Sequence, residues 1–141
     1  MDVKTFQCSQ LDKLQIPLVN QFYKQVYKKG LANKSEQVFV VKAKQIVCAA
    51  RLKAVDGSLL LTAVACDPAY RQQGLASQLI WYILSMQTES VYCFPYPHLK
   101  GFYQQLGFQL LAADQLPAKL AEQYARYNNR SPLLSMSVNV S

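Results

Sequence analysis

The stretch from Leu59 to Ile80 limits what this chain can fold into more than any other. Leu59 to Cys66 is an almost continuous apolar run, the pattern of a central strand covered on both faces. Asp67-Pro68 turns the chain, and Leu75, Leu79, Ile80, Ile83 and Leu84 then recur at helical spacing, so one face of a helix packs back onto the strand. Between strand and helix, Arg71-Gln72-Gln73-Gly74-Leu75-Ala76 offers a row of backbone N–H groups at a helix N-terminus. Gly74 has no side chain there and Ala76 only a methyl to obstruct an approaching ligand. Such a turn is an anion site, and a phosphate suits it.

The remaining elements read outward from that core. Asp2 to Phe6 alternates weakly as a short first strand. Pro17 fits the first turn of a helix whose apolar positions Leu18, Val19, Phe22, Val26 and Tyr27 repeat until Gly30. Gln37 to Lys42 and Gln45 to Val55 read as strands joined at Ala43-Lys44, and Asp56-Gly57 joins the second of them to the central strand as a hairpin. Val91 to Phe94 is a short strand stopped by Pro95 and Pro97. A helix from about His98 to Leu106 is closed by Gly107. Phe108 to Ala112, Pro117 to Tyr127 and Leu133 to Val140 follow as strand, amphipathic helix and strand. No repeat or linker interrupts the order, which describes one α/β domain over residues 1–141 with a mixed, mostly antiparallel sheet.

Composition narrows the classes. A chain of 141 residues with 51% hydrophobic residues can bury a core and is not a disordered segment. No apolar stretch approaches the roughly 18 residues needed to span a bilayer, and Met1-Asp2-Val3-Lys4 lacks a signal peptide's basic and apolar regions, so a cytoplasmic protein with no membrane partner is expected. Cys8, Cys48, Cys66 and Cys93 are scattered, with only His98 beside them. Buried small side chains are therefore favoured over a metal site or a disulfide framework. The net charge of +7 is dispersed apart from Lys28-Lys29, which argues against nucleic acid as a partner. An anionic ligand explains it, and so does simple solubility.

The residues Val64-x-x-x-Pro68-x-Tyr70-Arg71-x-x-Gly74-x-Ala76 resemble motif A of the GNAT superfamily of N-acetyltransferases, and Phe102-Tyr103-Gln104-Gln105-Leu106-Gly107-Phe108 resembles that family's Phe-Tyr-x-x-x-Gly-Phe segment. The resemblance covers roughly residues 37 to 113. It implies an α/β fold of the GNAT type: a mixed, mostly antiparallel twisted sheet of about six to seven strands flanked by helices, with splayed central strands. It implies acetyl-CoA as cosubstrate, its pyrophosphate held by Arg71-Gln72-Gln73-Gly74-Leu75-Ala76-Ser77. Val64, Ala65 and Cys66 are implied along the pantetheine arm, with the Val64 N–H or its neighbour facing the thioester oxygen. Tyr103 matches the proton donor to the leaving thiolate, a role a phenol with a reference pKa near 10 fills without tuning. The plain alternative for Tyr103 is a buried ring between Phe102 and Phe108.

The chain also departs from the family pattern. The carboxylate that many members carry on the fourth strand falls on Leu60, and a CoA-contacting asparagine falls near Tyr96. Glu36, Asp67, Glu89, His98 or ordered water remain as proton acceptors, with His98 favoured in its neutral form near a helix start. The implied reaction is direct acetyl transfer to a primary amine of a small molecule or peptide, by a monomer or homodimer. Loss of the carboxylate keeps open a catalytically weak or inactive CoA-sensing module. On the acceptor side Phe22, Tyr23, Tyr27 and Leu31 to Glu36 are candidates. Phe22 and Val26 read as core, and Tyr23 and the loop stay open between core and contact. Tyr96, Tyr124 and Tyr127 add phenols, and Lys119, Arg126 and Arg130 could meet an acceptor's negative charge.

Overall fold

The computed structural model describes residues 5–139. Among them seven strands and four α-helices follow one another as β1 (Gln7–Gln10), α1 (Ile16–Val26), β2 (Gln37–Lys42), β3 (Ile46–Val55), β4 (Ser58–Cys66), α2 (Leu75–Ser85), β5 (Val91–Cys93), α3 (Lys100–Gln105), β6 (Gln109–Leu110), α4 (Ala118–Arg130) and β7 (Met136–Val138). The strands form one mixed sheet in the order β1-β2-β3-β4-β5-β7-β6. β4 pairs with β5 in parallel, while β1–β2, β2–β3, β5–β7 and β6–β7 are antiparallel. No helix among the described residues is long and apolar enough to cross a membrane.

The chain divides into two compact units. The first holds residues up to 53 together with 63–83. Here the period-2 alternation of β2 decides which helix covers which face. Val38 and Val40 pack with Ile16, Val19, Phe22 and Tyr23 of α1. Phe39, on the opposite face, meets the Tyr82 ring of α2 edge-on at 6.3 Å. α2 buries Leu75, Leu79, Ile80 and Ile83, each worth about 1.5–3 kcal/mol of removal from water. α1 stops at Val26, short of the expected Gly30. The Tyr27 and Lys28 N–H groups both turn back onto the Tyr23 carbonyl, and Lys28 takes a φ of 63°.

The second unit holds residues 54–62 and the chain from 84 onward. Its parallel ladder runs from Leu59 opposite Val91 to Leu61 opposite Cys93. α4 lays Leu120 beside Leu116, Leu60 and Val55. Tyr124 packs on Phe94 at 5.2 Å and donates to the Leu133 carbonyl at 2.8 Å.

Several boundaries differ from the sequence reading. Among the described residues the first strand is Gln7–Gln10 and Thr5 and Phe6 precede it, while Asp2–Lys4 of the expected strand lie outside the described residues. The last strand shrinks from Leu133–Val140 to Met136–Val138, with Val140 outside the described residues. Leu133 and Leu134 spend their N–H groups on the Asn128 side chain and the Pro95 carbonyl instead of a ladder. The strand expected over Phe108–Ala112 is only Gln109–Leu110. The cysteines differ too: Cys48 and Cys66, expected as separate reduced side chains, are joined as a disulfide with Cα atoms 4.2 Å apart. Cys8 and Cys93 are free, and Cys93 is buried as expected.

Candidate active site

The turn after β4 is built by its own residues. The Asp67 carboxylate accepts from the Ala69 N–H at 2.9 Å, and the Asp67 N–H donates to the Val47 carbonyl at 2.8 Å. The turn is thereby capped and tied to β3. A single 3₁₀ turn, Pro68–Tyr70, leads into an extended Arg71, after which Gln72 and Gly74 adopt φ of 64° and 76°. Left-handed backbone at alternate residues turns successive N–H groups inward. The first hydrogen bond of α2 runs from Gln78 to the Gly74 carbonyl at 3.0 Å. The N–H groups of Leu75, Ala76 and Ser77 therefore precede the helical ladder.

A Cβ built at Gly74 would meet nothing within 4 Å, so the approach to this backbone is open. The Arg71 guanidinium is anchored by an Nε–H bond to the Cys66 carbonyl at 3.1 Å. Its charge is held at the junction of strand and loop. Three helix-end donors, the positive end of α2, one fixed cation and an open glycine suit an anionic group. The Asp67 carboxylate, in the same turn, is occupied with capping. By chemistry and by access the loop suits a phosphate group.

The strand leading to the loop carries a feature that sequence reading missed. Ala63 sits in the middle of β4 with a φ of 54°, a left-handed conformation that costs an alanine about 1–2 kcal/mol. Its carbonyl accepts a hydrogen bond from the Tyr23 hydroxyl at 3.0 Å. The ladder with β5 ends two residues earlier, at Leu61. A break of this kind re-aims the strand beyond it, and the residues beyond it are Val64, Ala65 and Cys66. All three are half-buried, and the Cys66 carbonyl already accepts from Arg71.

Tyr23, whose reading stood open between core and contact, is fully buried on α1 and packs in the core. Burial pushes its phenol well above the ordinary tyrosine range, against the smaller opposing pull of the Arg51 charge, so it stays protonated as a donor. The Arg51 guanidinium lies over the Tyr23 ring at 4.8 Å and pairs with Glu36 at 3.3 Å. An alanine gives no sequence signal for φ > 0. The only available hints were a tyrosine on a core-facing helix position and an arginine inside an apolar strand.

The remaining candidates separate. Tyr103 is buried on α3, flanked edge-on by Phe102 at 5.0 Å and Phe108 at 5.5 Å. Leu60, at the position of the family carboxylate, is 1% exposed and packs with Leu116 and Leu120. Of the alternative bases, Glu36 is committed to Arg51, Asp67 to the turn, and Glu89 is exposed. His98 is exposed and stacks on Tyr96 at 5.9 Å with an interplanar angle of 13°. Tyr27 lies edge-on to Tyr23 at 5.7 Å, and Lys119 forms a solvated pair with Glu122 at 3.7 Å.

Residues 34–110 match the acetyltransferase (GNAT) domain family. No curated protein matches the chain by sequence. Among solved structures it is similar to N-acetylglutamate synthase from Neisseria gonorrhoeae complexed with coenzyme A and N-acetyl-glutamate, with a TM-score of 0.74 and 16% identity over 99% of this chain and 36% of that one. The chain thus spans about a third of that enzyme's length. It is also similar to an acetyltransferase of the GNAT family from Staphylococcus aureus Mu50, with a TM-score of 0.72 and 13% identity over 97% of this chain and 100% of that one. The ribosomal-protein-S18-alanine N-acetyltransferase from Escherichia coli gives a TM-score of 0.68 and 14% identity over 97% and 95% of the two chains. At these identities the structural likeness carries the fold, and the family match carries the membership. Because the matched residues 34–110 take in β4, the glycine-opened loop and α2, the chain belongs to the GNAT acetyltransferase domain family.

Proposed function

We propose that residues 1–141 act as one N-acetyltransferase domain, working in the cytoplasm, that moves the acetyl group of acetyl-CoA to a primary amine by direct attack in a ternary complex. The observation that carries this reading is the loop at Gly74, whose open backbone and helix-end donors suit a pyrophosphate. In this reading Arg71 to Ser77 bind the phosphates, and Val64, Ala65 and Cys66 run along the pantetheine arm. The Val64 N–H faces the carbonyl oxygen as it gains charge. The neutral amine nitrogen forms its bond to the acetyl carbon as the carbon–sulfur bond breaks, the Tyr103 hydroxyl supplies the proton to the departing thiolate, and the proton lost by the nitrogen passes through water to restore the tyrosine. Acetyl-CoA provides the activated acyl group. The acceptor is a small-molecule or peptide amine, and the similar folds include enzymes of both kinds: one complexed with N-acetyl-glutamate and one named for a ribosomal-protein alanine.

A second reading has an observation of its own. Leu60 fills the carboxylate position with a buried apolar side chain, which favours a CoA-binding module of weak or no turnover. The two readings share the phosphate loop, so its test comes first. Gly74→Glu forces a side chain onto left-handed backbone and sets a like charge against phosphate. Isothermal titration of the folded variant with CoA is expected to show at least about a hundredfold weaker binding than the parent, the scale of a lost charge-assisted anion site. A folded Gly74→Glu protein that binds CoA as tightly as the parent would misplace the site.

A further inference from the structure

The residues holding Ala63 come from three separate segments, and they form one continuous chain of contacts. The Asn33 N–H donates to Glu36 Oε1 at 3.1 Å. The same oxygen accepts from Arg51 at 3.3 Å. Arg51 also donates to the Leu31 carbonyl and lies 4.8 Å over the Tyr23 ring. The Tyr23 hydroxyl ends the chain on the Ala63 carbonyl at 3.0 Å. We infer that Tyr23, Arg51 and Glu36 form a positioning unit that fixes the backbone direction of β4 at residues 64–66 and couples it to the loop 28–36.

Core packing alone does not require this arrangement. Phe22, the neighbour of Tyr23 on α1, fills the same apolar cluster without a hydroxyl. The phenol adds one bond, spent on the one residue of β4 that holds a left-handed φ. Arg51 and Glu36 are each 8% exposed, and a buried ion pair is generally replaceable by apolar side chains without loss of stability. The Arg51 Nε even lacks a hydrogen-bond partner among the described residues. What the pair does provide is geometry: a planar fork that holds the Leu31 carbonyl, the Glu36 carboxylate and the Tyr23 ring in one fixed relation. Movement of the loop would be transmitted to the strand through these contacts. The consequence for turnover rests on the proposed role of the Val64 N–H, since a backbone donor stabilises charge only when held in place before the reaction. Tyr23 thus acts through Ala63, as a positioning residue that touches no substrate.

The test removes the hydroxyl alone. In Tyr23→Phe, hydrogen exchange followed by mass spectrometry on the ligand-free protein is expected to run about tenfold faster in the peptide covering residues 62–67, with the amides of α1 and β2 unchanged. With the most active amine, kcat is expected to fall about tenfold while KM for acetyl-CoA stays within about twofold. Glu36→Gln, which keeps the side-chain volume, is expected to shift both readouts in the same direction by a smaller factor. Unchanged exchange at 62–67 in Tyr23→Phe would overturn the inference. Faster exchange spread equally over α1 and β2 would also overturn it, because it reports an ordinary structural contact. The exchange readout needs no turnover, so a parent protein without activity would defeat the proposed function and leave this inference decided separately.

Discussion

In the proposed mechanism Tyr103 meets two demands with one side chain, a ring that completes the packing between Phe102 and Phe108 and a hydroxyl that gives up a proton. Tyr103→Phe keeps the first and removes the second. Its expected effect is a kcat lower by about 10- to 100-fold with CoA affinity nearly intact, read by steady-state kinetics beside a binding titration. Equal loss of affinity and turnover would mark the tyrosine as packing only. Gly74 was legible from sequence because a residue without a Cβ between strand and helix has few other reasons to be there. Ala63 was not, since an alanine in an apolar run reads as ordinary strand and its left-handed φ is imposed by tertiary contacts. Tyr23 stayed ambiguous for the same reason: helical spacing puts it near the core, and only the fold reveals where its hydroxyl points.

At the level of elements, the interior ones were legible and the edges were not. β2 and α2 announce themselves by apolar residues on both faces or at strict spacing. β6, with both residues exposed, leaves little pattern to read, and the start of β7 depends on which N–H groups Asn128 and Pro95 claim first. α4 was legible from its amphipathic spacing, and its attachment hangs on a few side chains. Leu120 is fully buried among Val55, Leu60 and Leu116, so Leu120→Ala is expected to cost about 2–5 kcal/mol. The loop 28–36 depends instead on polar contacts. Glu36→Ala, which strands a buried Arg51, is expected to cost about 3–5 kcal/mol. Urea denaturation monitored by circular dichroism measures both. A Glu36→Ala loss well under 1 kcal/mol would show that the pair is solvated in solution.

For the molecule as a whole the excess of basic residues bears on both proposed substrates. The chain carries 15 Lys and Arg against 8 Asp and Glu, and Glu36 and Asp67 are already committed to internal contacts. Too few carboxylates remain to favour a polycationic acceptor, while an acceptor bearing a carboxylate or phosphate finds complementary charge. Among spermidine, an amino acid amide and the matching free amino acid at low salt, the free acid is expected to be acetylated fastest and to lose its advantage as ionic strength rises. Spermidine as the best of the three would overturn the electrostatic reading. The most direct measurement is the release of free CoA thiol from acetyl-CoA by the full chain across a panel of primary amines. The expected result is thiol release that depends on the amine, matches the acetylated product mole for mole and disappears in Gly74→Glu. Tight CoA binding with no amine raising thiol release above the enzyme-free rate would contradict catalysis and leave a CoA-binding module in its place.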